Sequence, residues 1–192
     1  MKLVIIFIAL VLSGCGATSS NTVPAKMAVI PVEELKCVEC RPLQSKYHAE
    51  LVNIASNTPY SMGVKSLGFR ERKGLEYISI DLIGSRYNTI QTTTISRLSN
   101  EVFSKYSDMT KRLLNTPFKD DIDGVFLAIL VTSNNFVSDP YPRDLNNEII
   151  EIYSSKESLT KFHDGDITLQ DALDQSQIFV NGQRMNFELK MI

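Results

Sequence analysis

The run Val125-Phe126-Leu127-Ala128-Ile129-Leu130-Val131 constrains this chain more than any other stretch. It is apolar throughout, lacks the alternation of a half-solvated strand, and is too short to form a helix of its own. Residues 125–132 are therefore expected to be a strand buried on both faces, hence central in a sheet. Just ahead of it, Asp120-Asp121-Ile122-Asp123-Gly124 has the acidic look of a calcium loop. Aligned on an EF-hand, however, Lys119 and Leu130 fall where oxygen ligands are required, so a turn entering the strand is the better reading.

The layer to cover that strand is equally legible. In residues 89–115, Ile95, Leu98, Val102, Tyr106, Met109 and Leu113 step by three or four, while Lys105, Asp108, Lys111 and Arg112 lie off the stripe. That spacing predicts one long amphipathic helix. Its polar side is not strongly basic, so its apolar face belongs against the sheet and not on a membrane. Residues 44–57 carry a shorter helical stripe that Thr58-Pro59 ends.

Residues 62–67 and 75–83 read as hairpin strands joined by 68–74, with Phe69 at the tip, and residues 148–153 as a further strand. Ser154 with Glu157, and Thr168 with Asp171, can cap short helices, and Gly165 fits the end of the first. Residues 177–180 and 183–192 flank Asn181-Gly182, the pair best suited to a tight hairpin. Residues 27–32 form a short apolar run whose Pro31 suits an edge strand. The elements do not alternate strictly. The fold class expected is α+β: a single domain with a mixed or antiparallel sheet, one long amphipathic helix at about 89–115, several short helices and a C-terminal β-hairpin.

The amino terminus has a different logic. Lys2 precedes an apolar run, residues 3–12, which ends in Leu12-Ser13-Gly14-Cys15. This resembles the signal peptide and lipobox of bacterial lipoproteins, a resemblance confined to residues 1–15. The run is too short to cross a bilayer, which takes about 20 apolar residues. The resemblance implies that residues 1–14 are cleaved and that Cys15 becomes the lipidated first residue, anchoring the protein in a membrane. Gly16, where inner-membrane lipoproteins tend to carry Asp, points to the periplasmic face of the outer membrane. Residues 15–26 read as the lipidated cysteine and a flexible linker reaching about 17 to 19 Å, and residues 27–192 as the globular domain.

Export to an oxidising compartment leads to an expected disulfide between Cys37 and Cys40. Three uses remain open: a structural bridge, a thiol-disulfide redox site, or two ligands of a metal. Pro42 argues against a helix opened by Cys40, as a redox motif would prefer. A closed metal site needs two more ligands, and the only histidines, His48 and His163, have no ligand spacing.

The formal net charge of −2 offers nothing to attract nucleic acid or an anionic bilayer, and the 43% apolar content is that of a folded domain. No nucleophile elbow, zinc-protease motif, phosphate loop or dinucleotide fingerprint is present. Residues 133–147 form a long connection, read either as a plain strand-to-strand link or as a partner-binding loop, and within them Phe136, Tyr141 and Arg143 are types enriched in interface cores. The function expected is a non-catalytic, lipid-anchored cell-envelope protein that binds or helps assemble another envelope component. Its partners would be the membrane, through Cys15, and an envelope protein or cell-wall component; no cofactor, metal or catalytic residue is assigned. The alternatives are a periplasmic redox protein using Cys37 and Cys40, and an envelope hydrolase with carboxylates brought together by the fold.

Overall fold

The computed structural model describes residues 23–88, 91–134, 146–186 and 188–189. In chain order the elements are α1 (Ala25–Ala28), α2 (Arg41–Lys46), α3 (His48–Asn57), β1 (Met62–Arg72), β2 (Leu75–Asn88), α4 (Thr94–Glu101), α5 (Ser107–Leu114), β3 (Gly124–Asn134), β4 (Asn146–Ser155), α6 (Lys156–Asp164), α7 (Leu169–Asp174), β5 (Gln177–Val180) and β6 (Gln183–Met185). A π-helical turn, Val102–Tyr106, joins α4 to α5. The fold is α+β, built on a six-stranded mixed sheet in the order β1-β2-β3-β4-β5-β6.

Only β2 and β3 run parallel; the other neighbours are antiparallel. A parallel pair needs a crossover connection, and the stretch from α4 to α5 supplies it. The strand expected from residues 125–132 is indeed central, pairing with β2 on one side and β4 on the other. Its inward residues Val125, Leu127, Ile129 and Val131 join the main core, while Phe126 and Ala128 belong to a second, small cluster on the opposite face.

The helical stripe packs on the inward face. Leu98, Val102, Tyr106, Met109 and Leu113 are all fully buried. Where one uninterrupted helix was expected, the structure has three consecutive segments, because the π turn inserts an extra residue into the ladder. Across that turn Glu101, fully buried, forms an ion pair with Lys105 and accepts from the Ser85 amide and the Tyr87 hydroxyl, each at 2.8 Å. Burial and the Glu101 carboxylate push Tyr87 up to about 12. At the same end of the sheet Arg97 grips Glu148 through two nitrogens, at 2.8 and 2.5 Å.

Both tight hairpins use left-handed residue pairs, Lys73-Gly74 and Asn181-Gly182, whose positive φ values match the twist of the flanking strands. The first hairpin is longer than its sequence pattern implied: β1 continues through Arg72, so Phe69 is 1% exposed in the core and not at a tip. Residues 27–32 are not a strand. Ala25–Ala28 make a helical turn, Val29 contributes one isolated bridge to Leu67, and residues 32–34 form a 3₁₀ turn, because Pro31 leaves no amide to continue a ladder. The helix expected over 44–57 is two, broken at Tyr47. The cap of α6 is Ser155, not Ser154, which instead bonds Tyr106 and Ser176 inside the core. Gly165 and the Thr168–Asp171 capping box stand where the sequence places them.

Candidate functional site

Side chains alternate across a strand, so a sheet with helices on one side leaves a second face to account for. Register sets out that face in rows. One runs Ser79, Phe126, Tyr153, Gln177; the next Asp81, Ala128, Glu151, Phe179, Arg184; the third Ile83, Leu130, Ile149. Among the described residues no helix packs over them.

Two arginines of β1 reach across this face. The Arg70 guanidinium lies 3.8 Å from the ring centre of Phe126, and its Nη1 donates to the Tyr153 hydroxyl at 3.1 Å. Arg72 lies 3.9 Å from the Tyr153 ring and 4.9 Å from that of Phe179. In a flat sheet β1 and β5 would stand about 19 Å apart, at about 4.8 Å per strand, beyond the combined reach of these side chains. The sheet therefore curls towards the uncovered face and makes it concave. Tyr153 is the hub, 4.4 Å from Phe126 and 5.6 Å from Tyr77 between ring centres. The rings are capped by guanidinium groups, so the face turns charge and not bare aromatic surface to solvent.

The concavity continues into a groove of about 670 Å³ between β1 and the segment before α2, with Ile30, Leu35, Lys36 and Cys37 on one wall and Arg70, Arg72, Ser79 and Asp81 on the other. Gln44 holds the two sides together. Its side chain is fully buried, donates to the Ile30 carbonyl at 2.6 Å and accepts from the Phe69 amide at 3.1 Å. Gly68 makes room for this, since a Cβ there would lie 3.0 Å from the Gln44 oxygen and 3.1 Å from Ile30.

Cys37 and Cys40 are disulfide-bonded, with Cα atoms 5.3 Å apart. Cys37 lines the groove and is half-buried, whereas Cys40 is fully buried and caps α2. Pro42 does not prevent that helix. It falls in the first turn, where its missing amide would have had no partner, so the objection raised by the sequence is removed.

Crowding on the face raises the Asp81 carboxyl above its ordinary value, Arg70 opposes that rise, and Glu151 adds to it. Asp81 and Glu151 stand on either side of Ala128 in one register row, and Asp81 is exposed to solvent. Among the described residues no group of three or more His, Cys, Asp or Glu is arranged to hold a metal ion. Asp121, from the rejected calcium loop, accepts from Lys46 at 2.7 Å and Tyr47 at 2.5 Å, which holds its carboxyl below the usual range. His48 is exposed at the start of α3. His163 bonds Thr110 at 3.0 Å, and burial, with Lys111 nearby, lowers its pKa.

A larger hollow of about 750 Å³ lies between α5 and α6, lined by Lys111, Lys119, Lys156, Lys161 and His163 with Glu157 and Asp164. Its lining mixes both signs, with Asp120 and Asp166 also present; Lys161 pairs with Glu157 at 2.7 Å and Lys156 donates to the Lys119 carbonyl. It reads as a solvated cleft.

Of the sites expected from the sequence, Cys37 and Cys40 form the expected disulfide, and Cys37 lines the groove. Cys15, Phe136, Tyr141 and Arg143 lie outside the described residues. Arg70, Arg72, Phe126, Tyr153 and Phe179 were not singled out. The available signal was the spacing of Arg70 and Arg72, two residues apart and so on one face of a strand, running into the Lys73-Gly74 turn. Compared with protein-family models, with curated proteins and with solved structures, the chain matches none.

Proposed function

We propose that this chain is a non-catalytic, lipid-anchored cell-envelope protein that binds or helps assemble another envelope component, and that the concave sheet face is its docking surface. The observation that carries the reading is the face itself. Two arginines, two carboxylates and the half-exposed aliphatic row of Ile83, Leu130 and Ile149 stand on the side of the sheet that no described helix covers. Exposed apolar surface rimmed by charge is what a monomer keeps for a partner. The anchor rests on the lipobox at Cys15, which would hold the domain a short tether away from the periplasmic face of the outer membrane. Among the described residues no helix is long and apolar enough to cross a membrane.

Mass spectrometry of the native protein tests the anchor. A diacylglyceryl adduct on an amino-terminal Cys15 is expected, and an unmodified Cys15 behind an intact leader would refute it.

A redox role for Cys37 and Cys40 is favoured by one observation, the half-buried Cys37 sulfur on the groove wall. The two readings part on the double variant Cys37→Ser, Cys40→Ser. As a structural bridge, its loss removes about 2 kcal/mol of loop-closure stabilisation, a drop of roughly 4 to 8 °C in Tm, while capture of the partner persists. Full loss of function in a folded double variant would instead support redox chemistry.

A further inference from the structure

Resting on that reading, we propose that the groove beside β1 receives an extended, acidic segment of the partner protein, which adds as a short strand to the free edge of β1 at residues 69–72. In the antiparallel pairing of β1 with β2, alternate residues turn their backbone groups outward. Leu67 and Phe69 are of this kind, since the Leu67 carbonyl accepts from the Ile30 amide at 2.9 Å and the Phe69 amide donates to Gln44. By the same alternation the Phe69 carbonyl and both backbone groups of Glu71 face outward. None of them has a partner outside the strand among the described residues. The residues that carry them line the groove.

The charges along this edge select the occupant. On the groove walls Lys65 is neutralised by Glu34 at 2.5 Å, and the Glu71 side chain is turned back onto the Gly74 amide. Asp81 faces Arg70. Arg72 and Lys36 have no carboxylate among the described residues. The Arg72 guanidinium carbon is seated 3.9 and 4.9 Å from the Tyr153 and Phe179 ring centres, and its N–H groups have no hydrogen-bond partner among the described residues, which leaves donors for a carboxylate. An added strand alternates its side chains between two faces. A carboxylate on one face would meet Arg72, and small apolar side chains on the other would meet Ile30 and Leu35.

The test uses fluorescein-labelled, terminally blocked pentapeptides Glu-Val-Glu-Val-Glu, Lys-Val-Lys-Val-Lys and Gln-Val-Gln-Val-Gln, with fluorescence anisotropy read on the purified full chain in detergent. The acidic probe alone is expected to bind, at least tenfold more weakly to Arg72→Gln and Lys36→Gln. Glu71→Pro, which deletes the outward amide together with the carboxylate that holds the Gly74 amide and is tolerated on an edge strand, should cost a similar factor, whereas Glu71→Gln, which keeps the amide, should not. Lys111→Gln in the distant cleft should leave binding unchanged. Equal binding of all three probes, no binding of the acidic one, or indifference to both Arg72→Gln and Glu71→Pro in folded variants overturns the proposal. If crosslinking from the sheet face captures an envelope partner that Arg72→Gln and excess acidic peptide do not displace, the strand-addition proposal fails while the docking reading stands.

Discussion

Replacing Arg97 with Met is expected to destabilise the protein by about 3 kcal/mol at pH 7, because it leaves the Glu148 carboxylate largely buried without its cation. The side chains of the pair are 6% and 16% exposed, and Arg97 also donates to the Thr92 carbonyl at 2.7 Å. Replacing both partners at once, Arg97→Met with Glu148→Leu, should recover most of the loss, since a buried pair exchanged for apolar groups is often close to neutral. The pH dependence has a definite sign. Arg97 lowers the Glu148 pKa in the folded state, against the opposing pull of burial. The stabilisation is therefore present above the unfolded carboxylate value of about 4.3 and fades as pH falls through the lower folded value. In Arg97→Met the carboxyl prefers to be protonated, so the gap between variant and parent should narrow below about pH 4. Urea unfolding at pH 7 and pH 3.5 measures both effects. A single-variant loss under about 1 kcal/mol would show that the pair does not clasp β4 to α4 in solution.

The second large effect is expected at Gly124, the first residue of β3. A Cβ there would stand 2.2 Å from the backbone oxygen of Ser154 and 2.8 Å from the Tyr77 ring. The first of these neighbours is main chain of the paired strand β4, so no side-chain rotation relieves the clash. Gly124→Ala should cost about 3 kcal/mol and lower Tm by roughly 6 to 12 °C. A shift under about 2 °C in a thermal scan would contradict the close approach of β3 and β4 at this point.

These two sites mark where the sequence was legible and where it was not. The run 125–131 announced a central strand, but its burial on both faces holds only in part: Phe126 and Ala128 are buried on the second face, whereas Leu130 is 40% exposed there. The stripe from Leu98 to Leu113 announced its cover because helical spacing tolerates a π turn without losing the apolar face. What the uncovered face does could not be read the same way. Phe126 looked like core, and Arg70 and Arg72 looked like a charged loop; only the curl of the sheet brings them within 4 Å of ring faces. Residues 27–32 misled because apolar content signals burial without specifying a strand, and Pro31 decided the matter. Pro42 misled because its effect depends on whether it falls in a helix's first turn or beyond it, and that boundary is set by the fold.

The groove explains why a short disulfide turn stands where it does. The bridge closes residues 37–40 at the start of α2, Gln44 of that helix accepts from the Phe69 amide of β1, and Cys37 lines the groove with the arginines. The turn supports the surface proposed to dock a partner.

Photo-crosslinking in intact envelopes tests the central claim most directly, with a benzophenone amino acid placed at Leu130 or Ile149 on the concave face and at Asn53 or Lys119 on the helical side. The proposed function predicts discrete adducts to an envelope protein from the first pair of positions and none from the second. Adducts only from the helical side, or none from the concave face of a correctly localised protein, would contradict it.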